Sequence, residues 1–372
     1  MRLVIFFLTV LLIFTTSINA QSEYEELICP DLSNGEESSQ EGGRFKPSEN
    51  DAGEYFRALI VFVQFQDDER TNTNWPLDEL PNWADDFIDD EVLSTYTDST
   101  FSDYWDEMSQ DNYDFIGDVY PDLVILGDEE DYDNDPTANY FDCNVDVFDS
   151  IEINVDWSDY DNWEFDDDEF VFTEGDADGY VDMIIMIYRD PDTWFTRFVP
   201  YGENFTAIAS LGSENYNYIT HDSLTIRFAA NTVSTIGSGI TYRLGLRGHL
   251  NSIETMAHEF GHYLFGGGHT NYGGIMGGKT YALSGWELNK LGYVAWTVAD
   301  QDGYTITLGD MITDADLLKI PISGTQTFYL VENHQRLSSY DQIMRGGTQN
   351  GGYDWTTTAG SGIYIWLITS GA

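Results

Sequence analysis

The chain has 372 residues, of which 42% are hydrophobic and 15% aromatic. This apolar content is sufficient for a folded core and excludes a globally disordered chain. The formal net charge at pH 7 is -51, which makes nucleic acid and anionic membranes poor partners because binding would add to the repulsion. Such a charge indicates either adaptation to a salty or calcium-containing exterior or acidic loops that keep a secreted protein in solution.

Residues 1–20 have the pattern of a secretory signal peptide. Arg2 supplies a positive charge, Leu3–Phe14 is apolar except for Thr9, and Ala20 ends a cleavage site of the small-residue type. The apolar run is too short for a membrane span, which needs about 20 residues, and fits a signal that is removed on export. We therefore expect a secreted protein with no membrane insertion after signal removal. Residues 21–54 are polar and are predicted to be a leader or linker, and residues 55–372 to be the folded domain.

Hydrophobic periodicity, helix caps and turn residues predict the elements in chain order. The first predictions are a buried strand at Ala58–Phe65, a helix at Leu77–Leu93, a helix at Thr100–Met108 capped by Ser99, and a strand at Ile116–Tyr120. Residues 127–178 are strongly acidic and are predicted to be loops. A helix is predicted at Asn251–Phe265, with Asn251 and Glu254 as a capping box. Further strands are predicted at Val181–Tyr188, Ser223–Ala229, Thr241–Leu246, Phe328–Val331 and Ile363–Ile368.

The segment His258-Glu259-Phe260-Gly261-His262 lies in the predicted helix 251–265. At about 100° per residue, its two histidines fall on one face, one turn apart, where both can bind the same zinc ion. An apolar face lies opposite, so one side of the helix is suited to burial and the other to a site. Glu259, beside the histidines, is placed to act as general base on a metal-activated water. The segment predicts a zinc hydrolase, and a peptidase in particular.

A zinc hydrolase site needs a third protein ligand. His269 is the candidate, because the glycines at 266–268 let the chain leave the helix and turn back towards the metal. The other histidines, His221, His249 and His334, have no ligand spacing and are predicted to be surface or structural residues. Met276 follows in a glycine-rich turn and resembles the Met-turn of metzincins, whose thioether packs beneath the metal.

Three further features leave alternatives open. Asp176, Asp178 and Asp182 have the spacing of a calcium-binding loop, or of an Asx-rich turn that leads into the next strand. Tyr272 either stabilises an oxyanion or packs in its turn. In an exported chain, Cys29 and Cys143 could form a disulfide, and a Cys29 thiolate could instead cap the zinc.

Several blocks of sequence resemble, in the same order, the secreted metallopeptidases of the immune inhibitor A type. The blocks are Ala58–Phe65, Phe101–Trp105, Val155–Ser158, Asp176–Asp182, His258–His262, Leu283–Tyr293 and Phe328–Asn333. The resemblance covers roughly residues 56–370. It implies an α+β catalytic domain of the metzincin-like zincin type, with a twisted mixed sheet, an HExxH active-site helix and a Met-turn. It also implies a secreted zinc endopeptidase that acts on protein or peptide substrates, with Glu259 as general base.

The chain departs from that family in two places. In metzincins the third histidine comes six residues after the second, whereas here Gly268 holds that position and His269 follows; the family commonly uses an Asp. The family also continues beyond a strand like Ile363–Ile368, so we expect either a truncated sequence or a short version of the fold. The alternative function is a calcium-stabilised extracellular binding or adhesion protein with a vestigial or structural zinc site. Glu259 favours the enzyme, because a structural site has no need of a general base.

Overall fold

The computed structural model describes residues 54–134, 140–166, 169–175, 177–190, 207–212, 216–229, 237–244, 248–266, 269, 273–277, 281–299, 305–342, 348–349, 352–353 and 361–369. Residues 1–53, where the signal peptide and most of the leader are predicted, lie outside these ranges. The helices are α1 (Phe101–Ser109), α2 (Glu129–Asn134), α3 (Tyr140–Ile151), α4 (His249–Phe265) and α5 (Gly285–Leu291). Among the described residues, no helix has the length and apolar character needed to cross a membrane.

The strands form two larger sheets and three short hairpins. The strands are β1 (Phe56–Phe65), β2 (Phe115–Val119), β3 (Val124–Leu126), β4 (Trp163–Asp166), β5 (Glu169–Phe172), β6 (Ile184–Tyr188), β7 (Ala207–Ile208), β8 (Asn217–Ile219), β9 (Thr225–Arg227), β10 (Gly239–Arg243), β11 (Trp296–Val298), β12 (Leu317–Pro321), β13 (Phe328–His334), β14 (Thr348–Gln349), β15 (Gly352–Tyr353) and β16 (Gly362–Ile368). The protein therefore belongs to the α+β class and contains mixed sheets.

The first sheet has the order β2-β1-β6-β10-β7, and β3 continues beside β1. Its pairs are parallel except for β7, which runs antiparallel at the edge. Alternate residues of β1 enter two different hydrophobic cores, so the strand is buried on both faces and reads as a continuous apolar run. Helix α4 packs in one core and α3 in the other, which gives three layers with the sheet in the middle.

The second sheet has the order β11-β12-β13-β16 and also mixes parallel and antiparallel pairs. Helix α5 precedes this sheet, begins with a capping box between Ser284 and Glu287, and ends at Gly292, which has φ +88°. Leu288 and Leu291 of α5 pack in the same core as α4. The second sheet and the α4 side of the first sheet therefore share one core.

Each predicted strand overlaps a strand of the structure, so the existence of these strands is confirmed, although most of their ends differ from the predicted ones. The predicted helix at 77–93 is wrong. That segment forms turns, in which Ala84 N–H donates to Pro81 O at 2.9 Å and Phe87 N–H donates to Ala84 O at 3.2 Å. Pro81 lacks an N–H, and Asp78 has φ +58°, so neither residue supports a continuous α-helix.

The prediction of loops across 127–178 is also wrong, because α2, α3 and the β4–β5 hairpin lie there. Helix α3 buries side chains spaced three or four residues apart, namely Tyr140, Cys143, Val147, Phe148 and Ile151. Aspartates between them lower the average hydrophobicity of the segment without breaking this spacing. Cys143 is fully buried in α3, and its predicted disulfide partner Cys29 lies outside the described residues, so the disulfide stays a prediction.

Both predicted helix caps require correction. Helix α1 is capped by Thr100, whose hydroxyl accepts from Asp103 N–H, whereas Ser99 has φ +69° and lies outside the helix. Helix α4 begins at His249, two residues before the predicted Asn251, and its N-cap Gly248 makes no side-chain cap. Asn251 instead accepts a hydrogen bond from the Tyr281 hydroxyl at 2.8 Å.

Candidate metal centre

Helix α4 carries two of the predicted ligands and the predicted base in its buried interior. The solvent-exposed fraction of the residue is 2% for His258, 0% for Glu259 and 1% for His262. Phe260, on the opposite face, packs against Trp105 and Phe115, with ring centroids 5.2 and 4.9 Å away. The apolar face therefore fixes the helix against the core and determines where the histidines point.

The structure brings His258, His262 and His269 together. Their ring centroids form a nearly equilateral triangle with sides of 5.1, 5.1 and 5.0 Å, and one ligand atom from each lies within 4.8 Å of the others. The Nε2 atoms of His258 and His269 are 3.2 Å apart. Tetrahedral zinc with Zn–N bonds of about 2.0–2.1 Å places its ligand nitrogens roughly 3.3 Å apart. The three-imidazole donor set and the distance between His258 Nε2 and His269 Nε2 are therefore compatible with a metal ion such as zinc.

Backbone carbonyls set the tautomers of the two helical histidines. His258 Nδ1 is 2.7 Å from Ile275 O, and His262 Nδ1 is 3.0 Å from Gly266 O. Because a carbonyl oxygen can only accept, each Nδ1 carries the proton and each Nε2 keeps its lone pair. This outer bond is the usual support of a metal-ligating histidine.

Burial keeps both helical histidines neutral. It lowers the pKa of His258 to about 3, with a further contribution from His269, and lowers the pKa of His262 well below its ordinary value. A neutral imidazole is the form that binds metal. His269 is the least buried of the three, as expected for a ligand that comes from the segment after the helix.

Glu259 lies between the two histidine ligands in sequence and is fully buried. The neighbouring Tyr263 hydroxyl donates to Gly239 O at 2.8 Å, which ties α4 to β10. Burial raises the pKa of Tyr263, and the charge of Glu259 adds to that increase. The carboxylate is therefore buried on α4, next to His258 in sequence and close enough to Tyr263 to raise the pKa of that hydroxyl.

Met276 packs directly beneath α4. Its side chain is fully buried, and a Cβ placed on Gly261 would lie 2.2 Å from Met276 Sδ. The glycine of the HExxH segment thus makes room for the thioether, and the role of Met276 as a Met-turn residue stays a prediction. Tyr272 lies outside the described residues.

Glu287 is a site residue that the sequence analysis missed. It is fully buried in α5, and its carboxylate accepts from Ile275 N–H at 3.1 Å and from Met276 N–H at 2.9 Å. The sequence did carry a signal, because Ser284 and Glu287 have the spacing of a capping box. The contact with the turn at 275–276 depends on the tertiary fold and has no local signature.

The aspartates of the predicted calcium loop have protein partners. Asp178 accepts from Tyr180 N–H at 3.0 Å and lies 3.8 Å from Arg227, and Asp182 is buried and accepts from Asn162 N–H at 2.7 Å. Asp161, which sequence analysis missed, accepts from the N–H groups of residues 178 and 179 and fixes the turn. Asp176 lies outside the described residues. In the described part of the chain, the three-histidine cluster alone gathers ligand atoms of three such residues, so calcium binding stays a prediction.

The other histidines lie outside the cluster, as the sequence predicts. His221 is 3.2 Å from Glu152 near the surface, and His249 stacks on Trp83 with an interplanar angle of 8°. His334 is buried between Glu332 and Asp341, at 3.1 and 2.8 Å. Each of these histidines has a side-chain partner of its own.

No protein-family model matches the sequence, and no curated protein is significantly similar to it. The site is therefore described by its own residues, which are three converging histidines, the buried carboxylate of Glu259 and the buried side chain of Met276.

Proposed function

We propose that the protein is a secreted zinc endopeptidase of the metzincin-like zincin type, similar to the immune inhibitor A peptidases. The observation that carries the proposal is the convergence of His258, His262 and His269, with the first two held through Nδ1 by backbone carbonyls. A helix with two ligands and a carboxylate, packed on a mixed sheet above a buried methionine, supports the zincin assignment. The signal-like segment at residues 1–20 supports secretion.

The chain's own residues divide the work of peptide hydrolysis. His258, His262 and His269 would hold the zinc ion through Nε2 lone pairs. Zinc, when bound, supplies a Lewis acid that polarises the peptide carbonyl and lowers the pKa of water. Glu259 accepts a proton from the attacking water, whose oxygen bonds to the carbonyl carbon. Glu259 then delivers that proton to the nitrogen that leaves as the C–N bond breaks.

The buried setting of Glu259 supports this role over a purely structural site. A structural zinc ion needs four protein ligands and no base, whereas a catalytic ion takes three and leaves a position for water. Three histidines gather in the described residues, and the buried carboxylate of Glu259 follows the first of them on α4. A buried carboxylate with no chemical role would only lower the stability of the fold, because its burial carries a desolvation penalty.

The proposal is tested by cleavage of casein with the purified secreted protein. The protein is assayed as prepared, after chelation, and after zinc is added back, and zinc per chain is measured in each state. We expect cleavage that is lost on chelation and restored by one equivalent of zinc. A folded chain that holds one zinc ion and cleaves no unfolded protein would contradict the proposal and favour the binding-protein alternative.

A further inference from the structure

One buried carboxylate ties together the turn at 275–276 and helix α5. Glu287 accepts four hydrogen bonds, from the N–H groups of Ile275, Met276 and Ser284 and from the Ser284 hydroxyl, at 3.1, 2.9, 2.7 and 3.0 Å. The two bonds from Ser284 lie within the cap of α5, where the Ser284 N–H bond belongs to the capping box and the Glu287 N–H donates in return to Ser284 Oγ at 3.3 Å. The other two bonds leave the helix and are directed at the turn beneath the metal centre.

The same turn contacts a metal ligand through a single peptide group. The Ile275 carbonyl accepts from His258 Nδ1–H at 2.7 Å, and the Met276 N–H, at the other end of that peptide bond, donates to Glu287 at 2.9 Å. A continuous chain of hydrogen bonds therefore runs from the Glu287 carboxylate through one peptide group to His258.

Such a chain strengthens its members. Hydrogen bonds in series polarise one another, and the effect is larger where water is excluded. A carboxylate bonded to the N–H pushes electron density towards the carbonyl oxygen, which then accepts more strongly from His258. A histidine whose outer nitrogen donates strongly is a more basic metal ligand, and the loss of such a partner typically costs about 10–100-fold in metal affinity.

The surroundings hold this arrangement in place. A Cβ on Gly274, which has φ +109°, would lie 2.0 Å from Glu287 Oε2, so only glycine lets the turn approach the carboxylate. The first N–H of α5, at Gly285, donates to Glu332 Oε1 at 2.8 Å, which fixes the helix that carries Glu287 to β13. Burial raises the pKa of Glu287 to about 7, against the opposing effect of its N–H donors.

We propose that Glu287 is a positioning residue of the metal centre, which acts through the 275–276 peptide to orient His258 and to strengthen it as a metal ligand. The inference rests on the metal centre of the proposed function and extends it to a residue in another helix. It distinguishes Glu287 from an ordinary helix cap, whose loss would change stability and leave metal affinity unchanged.

The test compares Glu287→Gln with Ser284→Ala, at pH 8, where Glu287 is ionised. Glu287→Gln keeps the size of the side chain and removes the charge at the start of the chain of bonds. Ser284→Ala removes the hydroxyl half of the same capping box and leaves both bonds to the turn intact. Zinc dissociation constants are measured by competition with a chromophoric chelator, and unfolding free energies by denaturant titration of the metal-free chains.

We expect zinc to bind about 10–100-fold more weakly to Glu287→Gln and within about threefold of the wild type to Ser284→Ala, although both variants are destabilised. Cobalt(II) in place of zinc should show an altered ligand-field spectrum in Glu287→Gln alone. Equal zinc affinity in Glu287→Gln and wild type, or equal losses in the two variants, would overturn the inference. A folded wild type that binds no zinc would instead reject the proposed function.

A second measurement applies if Glu287→Gln does not fold. The His258 Nδ1 proton of the zinc-loaded wild type is observed by nitrogen-15 NMR beside that of His262. The acceptor peptide of His258 donates to the Glu287 carboxylate, and the Nδ1–O distance is 2.7 Å at His258 and 3.0 Å at His262, so the His258 proton should resonate further downfield. A His258 proton at or upfield of the His262 proton would overturn the inference.

Discussion

The close approach of Met276 to Gly261 predicts the effect of adding one methyl group to the HExxH helix. In Gly261→Ala, the new Cβ would lie 2.2 Å from Met276 Sδ, while Met276 Cε and Cγ stay 3.5 and 3.6 Å away. The sulfur lies in the middle of the side chain, so it moves only if the whole thioether moves. Because Met276 is fully buried, that movement disturbs the packing beneath the metal centre.

The magnitude follows from two opposing effects. Overpacking a core typically costs about 1–3 kcal/mol, whereas replacing Gly by Ala inside a helix contributes about 1 kcal/mol of stability. A contact this close favours the upper part of the first range, so we expect Gly261→Ala to lower the free energy of unfolding by about 1–2 kcal/mol. Met276→Ala removes a fully buried side chain and should cost about 2–5 kcal/mol.

The double variant reverses the sign of the glycine substitution. In the Met276→Ala protein the close contact with Sδ is absent, while the higher helix propensity of Ala than of Gly still applies. Gly261→Ala should therefore stabilise the Met276→Ala protein by about 1 kcal/mol. Urea unfolding of the four metal-free proteins measures this cycle, with equal m-values as the control for two-state behaviour. The reasoning is refuted if Gly261→Ala costs the same in both backgrounds, or if it costs nothing when Met276 is present.

Two further predictions concern buried charges away from helix α4. Burial lowers the pKa of His334, but its bonds and charge interactions with Asp341 and Glu332 outweigh this effect and raise the pKa to about 9. The stability that this raised pKa contributes is fully present below pH 6.5 and is lost as the pH rises through 9. Between those pH values, the free energy of unfolding of the wild type should fall by about 3 kcal/mol more than that of His334→Gln, as measured by urea unfolding. Parallel curves of unfolding free energy against pH for the two proteins would contradict this. Asp68 pairs with Arg189 in the core, where each side chain is 1% exposed, so Asp68→Ala should cost about 3–5 kcal/mol by leaving Arg189 buried without that carboxylate. A loss below 1 kcal/mol in thermal and urea unfolding would show that water or another group compensates.

Long segments with a clear period were predictable from the sequence, and so was the site that one of them carries. The apolar run of β1 and the two-faced pattern of α4 identify their elements without tertiary information. The spacing of His258 and His262 fixes their common face, and Gly266, which has φ +89°, ends the helix three residues before His269. These features depend on residues close together in the chain.

The predictions that failed did so for two reasons, misread local patterns and tertiary contacts that the sequence does not show. Helix α3 was missed because its buried residues alternate with aspartates, so composition suggested a loop while spacing indicated a helix. The predicted helix at 77–93 had suitable residues, but Pro81 leaves only isolated turns there. Glu287 lies far along the chain from His258, and only the fold joins them through the 275–276 peptide.

The measurement that tests the central claim most directly is casein cleavage by Glu259→Gln at full zinc occupancy, beside wild type. Glutamine keeps the size of the buried side chain and removes its ability to accept the proton. The account predicts one zinc ion per chain in both proteins, and a rate in Glu259→Gln lower by at least about 100-fold, the lower end of the usual contribution of a general base. Cleavage at the wild-type rate by zinc-loaded Glu259→Gln would contradict the assignment of Glu259 as the general base of a peptidase.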